Sequence, residues 1–298
     1  MKKLLSLILV MVLCVCTACG QKEPAKDDST KNSEVVTTTS GSEDTEAPET
    51  GEVEEPKELF VLTKETCYSS DGDIKYYYEY SRDDEGVMLK KTRYSAEGSI
   101  DSWYEYGYDS DGRRNIYTAY TADGTVDTLH EYEYDVQGNL TVEYTRTPSG
   151  KPRSQYDYEY DAVGNQIKET LRDADGNIHW WAGFEYDSEG NLLKRTDYRA
   201  DGSPSVWEEH EYDSQGNEIK HTFYEADGSI TNWVEYGYDA GNNLVSRTEY
   251  NADGSQDARY AYEYDTDGNK VKTTSYHSSG SVTSVTEYEY IKIENEAK

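Results

Sequence analysis

Several things are scarce in this 298-residue chain. There are three Phe, six Pro, five His and four Cys, and only 35% of residues are hydrophobic. So little aliphatic and phenyl surface excludes a thick core of the ordinary kind, and thirty Tyr stand in for it. Basic residues are also short: 29 Lys and Arg against 60 Asp and Glu give a formal charge of -31. The surrounding field repels phosphate backbones and anionic lipid, so a nucleic-acid partner is excluded. No apolar run is long enough to span a bilayer as a helix.

The apolar run that is present lies at the start, in "MKKLLSLILVMVLCVCTACG". Two lysines, a short apolar stretch and small residues mark residues 1–18 as a secretory signal peptide. "CTACG" resembles a bacterial lipobox, with Ala18 before Cys19 and with Cys16 where Leu or Val is usual. That resemblance implies a lipidated Cys19 as first residue of the mature protein. The expected address is the extracytoplasmic face of a bacterial membrane, because two or more acyl chains anchor stably at about 0.8 kcal/mol per buried methylene. Cys14 and Cys16 leave with the signal, so Cys67 is left alone and no internal disulfide is expected. Residues 19–56 contain no aromatic residue and are dominated by Ser, Thr, Glu, Asp and Lys. Such a segment cannot offset its ordering entropy by burial, and is expected to be a disordered tether with a reach of roughly 35 Å.

Residues 57–298 are repetitive. "DTLHEYEYDVQGN" at 127–139 returns as "RSQYDYEYDAVGN" at 153–165. Tyrosines 108, 134, 160, 186, 212, 238, 264 and 290 keep an interval of 26, as do glycines 98, 124, 150, 176, 202, 228, 254 and 280. A fixed period of this size signals an array of identical supersecondary units. Each unit has two turns, a "YDxxGN" and an "xADG", in which Asp accepts from the backbone and Gly takes a positive φ. The stretches between them are short and rich in Tyr, Thr, Val, Ile and Trp, which is strand composition. The expected fold is all-β: an antiparallel hairpin meander of about seventeen strands. Two departures stand out. The loop after Tyr80 reads as two residues longer than its equivalents, and "YDAGNN" after Tyr238 places Gly241 one position early, which predicts a different turn.

Alternation assigns a core face to the YD tyrosine and the residues two and four before it, such as Tyr104, Tyr106 and Tyr108. Leu89, Ile167, Leu193, Ile219, Val245 and Val271, with Ile100, Ile178 and Ile230, are expected on that face. The solvated face carries Glu and Lys, with Glu209 expected opposite Lys220 and Asp157 opposite Lys168. A flat ribbon of seventeen strands would expose too much aromatic surface. The sheet is therefore expected to curl into a spiral or a closed shell, or to pair face to face.

"EYDVQGNL", "EYDAVGNQI", "EYDSEGNLL", "EYDSQGNEI" and "EYDTDGNKV" resemble the Tyr-Asp-x-x-Gly-Asn core of the RHS or YD-repeat family, over roughly residues 68–290. The resemblance implies a continuous hairpin ribbon that coils into a shell, and it brings no catalytic residues.

Candidate binding residues are Trp103, Trp181, Trp207 and Trp233, each five before a YD tyrosine, with Tyr198, Tyr224 and Tyr250 on the same solvated face. Such a strip stacks on sugar rings or a peptide, or is simply cross-strand packing. The Asp-rich turns lack EF-hand spacing. His210 and His221 approach across a hairpin but lack a third ligand, so no metal is assigned. No cofactor and no enzymatic site are expected. Two functions remain open: a non-enzymatic surface lipoprotein binding a cell-wall glycan, a host glycan or a protein, and a structural or immunity-type repeat protein recognising a secreted toxin or surface partner.

Overall fold

The computed structural model describes residues 59–293; the signal peptide, Cys19 and the tether lie outside them. Eighteen strands run in chain order: β1 (Leu59–Ser69), β2 (Ile74–Arg82), β3 (Met88–Ser95), β4 (Ile100–Tyr108), β5 (Arg114–Thr121), β6 (Val126–Tyr134), β7 (Leu140–Arg146), β8 (Pro152–Tyr160) and β9 (Gln166–Asp173). They continue as β10 (Ile178–Tyr186), β11 (Leu192–Arg199), β12 (Pro204–Tyr212), β13 (Glu218–Glu225), β14 (Ile230–Tyr238), β15 (Leu244–Asn251), β16 (Gln256–Tyr264), β17 (Lys270–His277) and β18 (Val282–Ile293). Each pairs antiparallel with its neighbours, and β1 pairs with β18 from Leu59↔Ile293 to Ser69↔Ser284. The meander is thus a closed up-and-down barrel of eighteen strands among the described residues, one more than the expected number.

All seventeen turns have one geometry. In the turn after β12, Gly216 N–H donates to Asp213 O and Asp213 N–H to Asn217 O, a type I turn closed by a bulge that needs positive φ at its fourth residue. Sixteen turns fill that place with Gly. The turn after β14 fills it with Asn242 at φ 68°, a residue that tolerates the left-handed region, so it is the same turn and not a different one. Nor does the first unit carry an insertion. Arg82, not Tyr80, occupies the YD position, pairing with Met88 as Tyr108 pairs with Arg114.

Two rims result. Eight YD-type turns form the rim where the described chain also begins and ends, here called proximal; nine turns form the distal rim. At the proximal rim each YD tyrosine hydroxyl donates to a carbonyl twenty residues earlier. Examples are Tyr108 to Met88 at 2.6 Å, Tyr186 to Gln166 at 2.7 Å and Tyr290 to Lys270 at 3.0 Å. Arg82 Nε makes the same bond to Leu62 O at 3.3 Å.

A second bulge follows each proximal turn. Tyr212 pairs with Glu218 but Glu211 with Lys220, leaving Ile219 without a partner residue. Lys220 therefore reaches Glu211 at 3.8 Å rather than Glu209, and Lys168 reaches Glu159 at 3.1 Å rather than Asp157. This bulge, and a separate one after each distal turn, where Tyr224 pairs with Ile230 but Phe223 with Asn232, overturn part of the expected core: Leu89, Ile167, Leu193 and Ile219, with Ile100, Ile178 and Ile230 at the distal strand starts, are 37% to 42% exposed. Val245 and Val271 are half-buried.

The tyrosine face is concave. Its side chains reach across to the next strand but one, as Tyr156 of β8 does to Trp180 of β10 and Arg195 of β11 to Glu169 of β9. Eighteen strands about 4.8 Å apart give a girth of about 86 Å, far more than side chains fill. Among the described residues no large side chain is fully buried, so the barrel is hollow and its tightly packed positions are mostly small, such as Ala119, Ala182 and Ala258.

Tyr186→Phe is expected to cost about 1 kcal/mol, one hydrogen bond, read as a lower urea midpoint at unchanged slope. The inner tyrosines add an alkaline limit. Burial pushes Tyr160 and Tyr236 up to about 12, and Tyr158 and Tyr288 upward as well. A raised phenol stabilises fully below the unfolded value near 10 and loses that contribution as pH rises through the folded value. Tyrosinate absorbance should therefore show a late fraction of phenols that ionise together with the loss of β-signal.

Candidate functional site

Each candidate tryptophan on the convex wall is stacked against a tyrosine of the next strand. Trp103 stacks on Tyr120 at 4.9 Å, Trp181 on Tyr198 at 3.9 Å, Trp207 on Tyr224 at 5.2 Å and Trp233 on Tyr250 at 5.1 Å, all within 13° of parallel. Tyr77 and Tyr94 make a fifth such pair at 4.8 Å. The other ring face is covered by a lysine: Lys90 over Trp103, Lys168 over Trp181, Lys194 over Trp207 and Lys220 over Trp233. The cause is register. The position five before the YD residue lies directly opposite a tyrosine twelve after it, and the bulge brings the preceding strand's lysine alongside. Rings stacked across strands present their edges outward, and the ring faces a sugar would need are occupied.

The same wall carries Glu105, Glu159, Glu185, Glu209, Glu211 and Glu235 in mid-strand or near the proximal rim, with Lys168, Lys194 and Lys220 between them. Trp103 and Trp233 donate to Glu105 and Glu235 at 3.2 Å. A lipid-facing barrel wall needs an apolar band, since Lys at mid-bilayer costs about 2–4 kcal/mol; this charged wall suits water.

The turn aspartates are occupied by their own turns. Asp213 Oδ1 accepts from the N–H groups of Gln215 and Asn217, and Oδ2 accepts from the Asn217 side chain at 2.9 Å. The Asn217 amide, with backbone N–H groups, holds the Asp213 carboxyl below its usual range.

Sequence reasoning missed the concave wall over β9 to β13. Arg195 lies 3.8 Å from Glu169, 3.1 Å from Asp197 and 3.9 Å from Glu208, above the rings of Trp180 and Phe184. Burial pushes the Glu169 and Asp197 carboxyls up. Burial works the same way on Glu208, but contact with His221, aided by Arg195 and His210, draws it below its ordinary value. The His210 and His221 rings stack at 4.1 Å. Glu208, on the same face two residues before His210, supplies the third donor that the sequence reading lacked: three donor atoms of Glu208, His210 and His221 lie within 4.8 Å of one another. A signal was available, because at position 208 four of the nine units place tyrosine and this one alone places a carboxylate.

A family model described as "Protein of unknown function (DUF2963)" matches residues 173–222 and 250–295, about a third of the chain. A search of curated proteins gives no match. Among solved structures, the chain is similar to one titled "Crystal Structure of TcdB2-TccC3-Cdc42" at 17% identity, with a TM-score of 0.36, covering 74% of this chain and 14% of that one. A porin-like protein from Bacteroides uniformis matches at 14% identity and a TM-score of 0.44, covering 77% of this chain and 98% of that one. A porin-like protein from Bacteroides vulgatus matches at 14% and 0.37, covering 78% and 99%. The chain thus spans about a seventh of the TcdB2-TccC3-Cdc42 chain it matches and nearly all of the porin-like ones.

The Trp181–Tyr198 stack should show a coupling of about 0.5–1.5 kcal/mol in a double-mutant cycle of Trp181→Ala and Tyr198→Ala, measured by urea unfolding.

Proposed function

We propose that this chain is a non-enzymatic binding barrel held by lipid on Cys19 at the extracytoplasmic face of a bacterial membrane, and that its convex wall captures a cationic protein. The carrying observation is that the outer tryptophans already have both ring faces filled by Tyr and Lys, so the wall offers aromatic edges framed by carboxylates and not open platforms for sugars. The surplus of acidic groups favours a basic partner and speeds encounter with one. Kinship with the YD-repeat shells belongs to this reading, as does the immunity-type alternative, in which the captured protein is a secreted toxin.

The test is a pull-down from the native surface, followed by binding isotherms of the recovered partner. Affinity should fall steeply with added salt and fall in Trp181→Ala and Trp207→Ala. Salt-independent binding, or glycan-array binding lost in those two variants, would overturn the protein reading. Mass spectrometry of the membrane-extracted N-terminus should find acylated Cys19, and an unmodified Cys19 or another start would remove the anchor.

A further inference from the structure

The concave wall holds charge that the barrel does not need. Three carboxylates, Glu169, Asp197 and Glu208, meet one guanidinium, Arg195, in a shielded place, and a fourth, Glu218, faces His210 and His221. Burying charge is costly unless it is well paired, so a wall built only to close gains nothing from this cluster.

The histidines are arranged for a specific use. His210 Nδ1 lies 2.6 Å from Glu218 Oε1. An ionised carboxylate only accepts, so Nδ1 carries a proton, and in the neutral ring Nε2 is then the atom that presents a lone pair. The His210 side chain is 9% exposed, yet its Nε2 has no hydrogen-bond partner, and neither does the buried His221 Nε2. Both nitrogens face Glu208: His221 Nε2 stands 3.2 Å from Oε2 and His210 Nε2 stands 4.0 Å from Oε1. Donors around a tetrahedral zinc, with bonds of about 2.0–2.1 Å, are about 3.4 Å apart. Small side-chain shifts therefore close these three around an ion.

We propose that Glu208, His210 and His221 form a binding site for a divalent first-row transition metal, with zinc the best fit to two imidazoles and one carboxylate. Glu218 is the positioning residue, fixing the His210 tautomer from behind as outer carboxylates do for metal-bound histidine. Arg195 lies between Asp197, Glu169 and Glu208, at 3.9 Å from Glu208 Oε1, where it steadies the carboxylate ligand. Three protein ligands leave one coordination position open on the concave side for water or an anionic group of a guest. The site is independent of the convex-wall reading.

The experiment titrates zinc, and separately cobalt, into the purified full chain and follows binding by calorimetry and by the histidine ring resonances. One ion per chain is expected, with only two of the five histidines shifting. His210→Ala and His221→Ala should each weaken binding at least tenfold, and Glu218→Gln about 10–100-fold. His130→Ala, whose ring is bonded to Glu143 at 2.8 Å on the same wall, should leave it unchanged. No saturable binding by the unaltered chain, or shifts confined to other histidines, would overturn the site even if the variants fail to fold. Unchanged affinity in a folded His210→Ala, His221→Ala double variant would overturn it as well.

Discussion

One hydrogen bond organises this molecule: the hydroxyl of each YD tyrosine on the carbonyl twenty residues before it. The aspartate turn shapes a single hairpin, but it says nothing about the next one. The tyrosine does, because its ring lies along the proximal rim and ends on the first residue of the preceding hairpin's second strand. A slip of one residue between hairpins would swing every ring to the convex side and leave the carbonyl unmatched. A bond of about 1 kcal/mol is modest by itself, but repeated at every hairpin boundary it selects one register for the whole sheet. Arg82 is instructive, since it keeps the bond with a different donor.

Closure follows from uniformity. Identical hairpins carry identical twist and identical bulges, so each rotates by the same increment relative to the last, and the ribbon curves steadily towards the tyrosine side. The two terminal strands are the longest, and their pairing through ten residue pairs removes the exposed edges that an open meander would present. The wall is one layer thick. Its stability rests on cross-strand pairs on both faces, tyrosine with tyrosine or arginine inside and tryptophan with tyrosine outside, and not on a filled interior.

The period, the turns, the strand count within one and the two-faced alternation were legible in the sequence because each depends on local chemistry repeated many times. What escaped was whatever depends on counting across a hairpin. The bulge at Ile219 and its equivalents adds a residue that alternation alone does not reveal, so the exposed isoleucines were assigned to the core and the Glu–Lys pairs were displaced by two. The Tyr80 loop looked longer because Arg82 does not resemble tyrosine, although its guanidinium reaches the same carbonyl. Trp103, Trp181, Trp207 and Trp233 were placed on the correct face, but nothing in one strand's sequence shows that Tyr and Lys from its neighbours cover both sides of each ring.

In an array of this kind the residue that breaks the pattern carries the information. Two and four places before the YD residue, four strands have Tyr78 and Tyr80, Tyr104 and Tyr106, Tyr156 and Tyr158, and Tyr260 and Tyr262, while β6, β14 and β18 keep one tyrosine of the two beside His130, Val234 and Thr286. On β10 and β12 those places hold Ala182 and Phe184, then Glu208 and His210. The first change makes room, for Ala182 is fully buried beside Asp197 and Glu169. The second fills that room with groups that bind protons and metals. A repeat that only needed to close would have kept its phenols, because each aromatic lost gives up cross-strand packing and each buried carboxylate adds a desolvation cost. The barrel tolerates both losses in adjacent hairpins while the turns, the bulges and the tyrosine bonds of Tyr186 and Tyr212 stay intact. The scaffold and the site are therefore separable, and the polar patch is a part of the concave wall that closure does not explain.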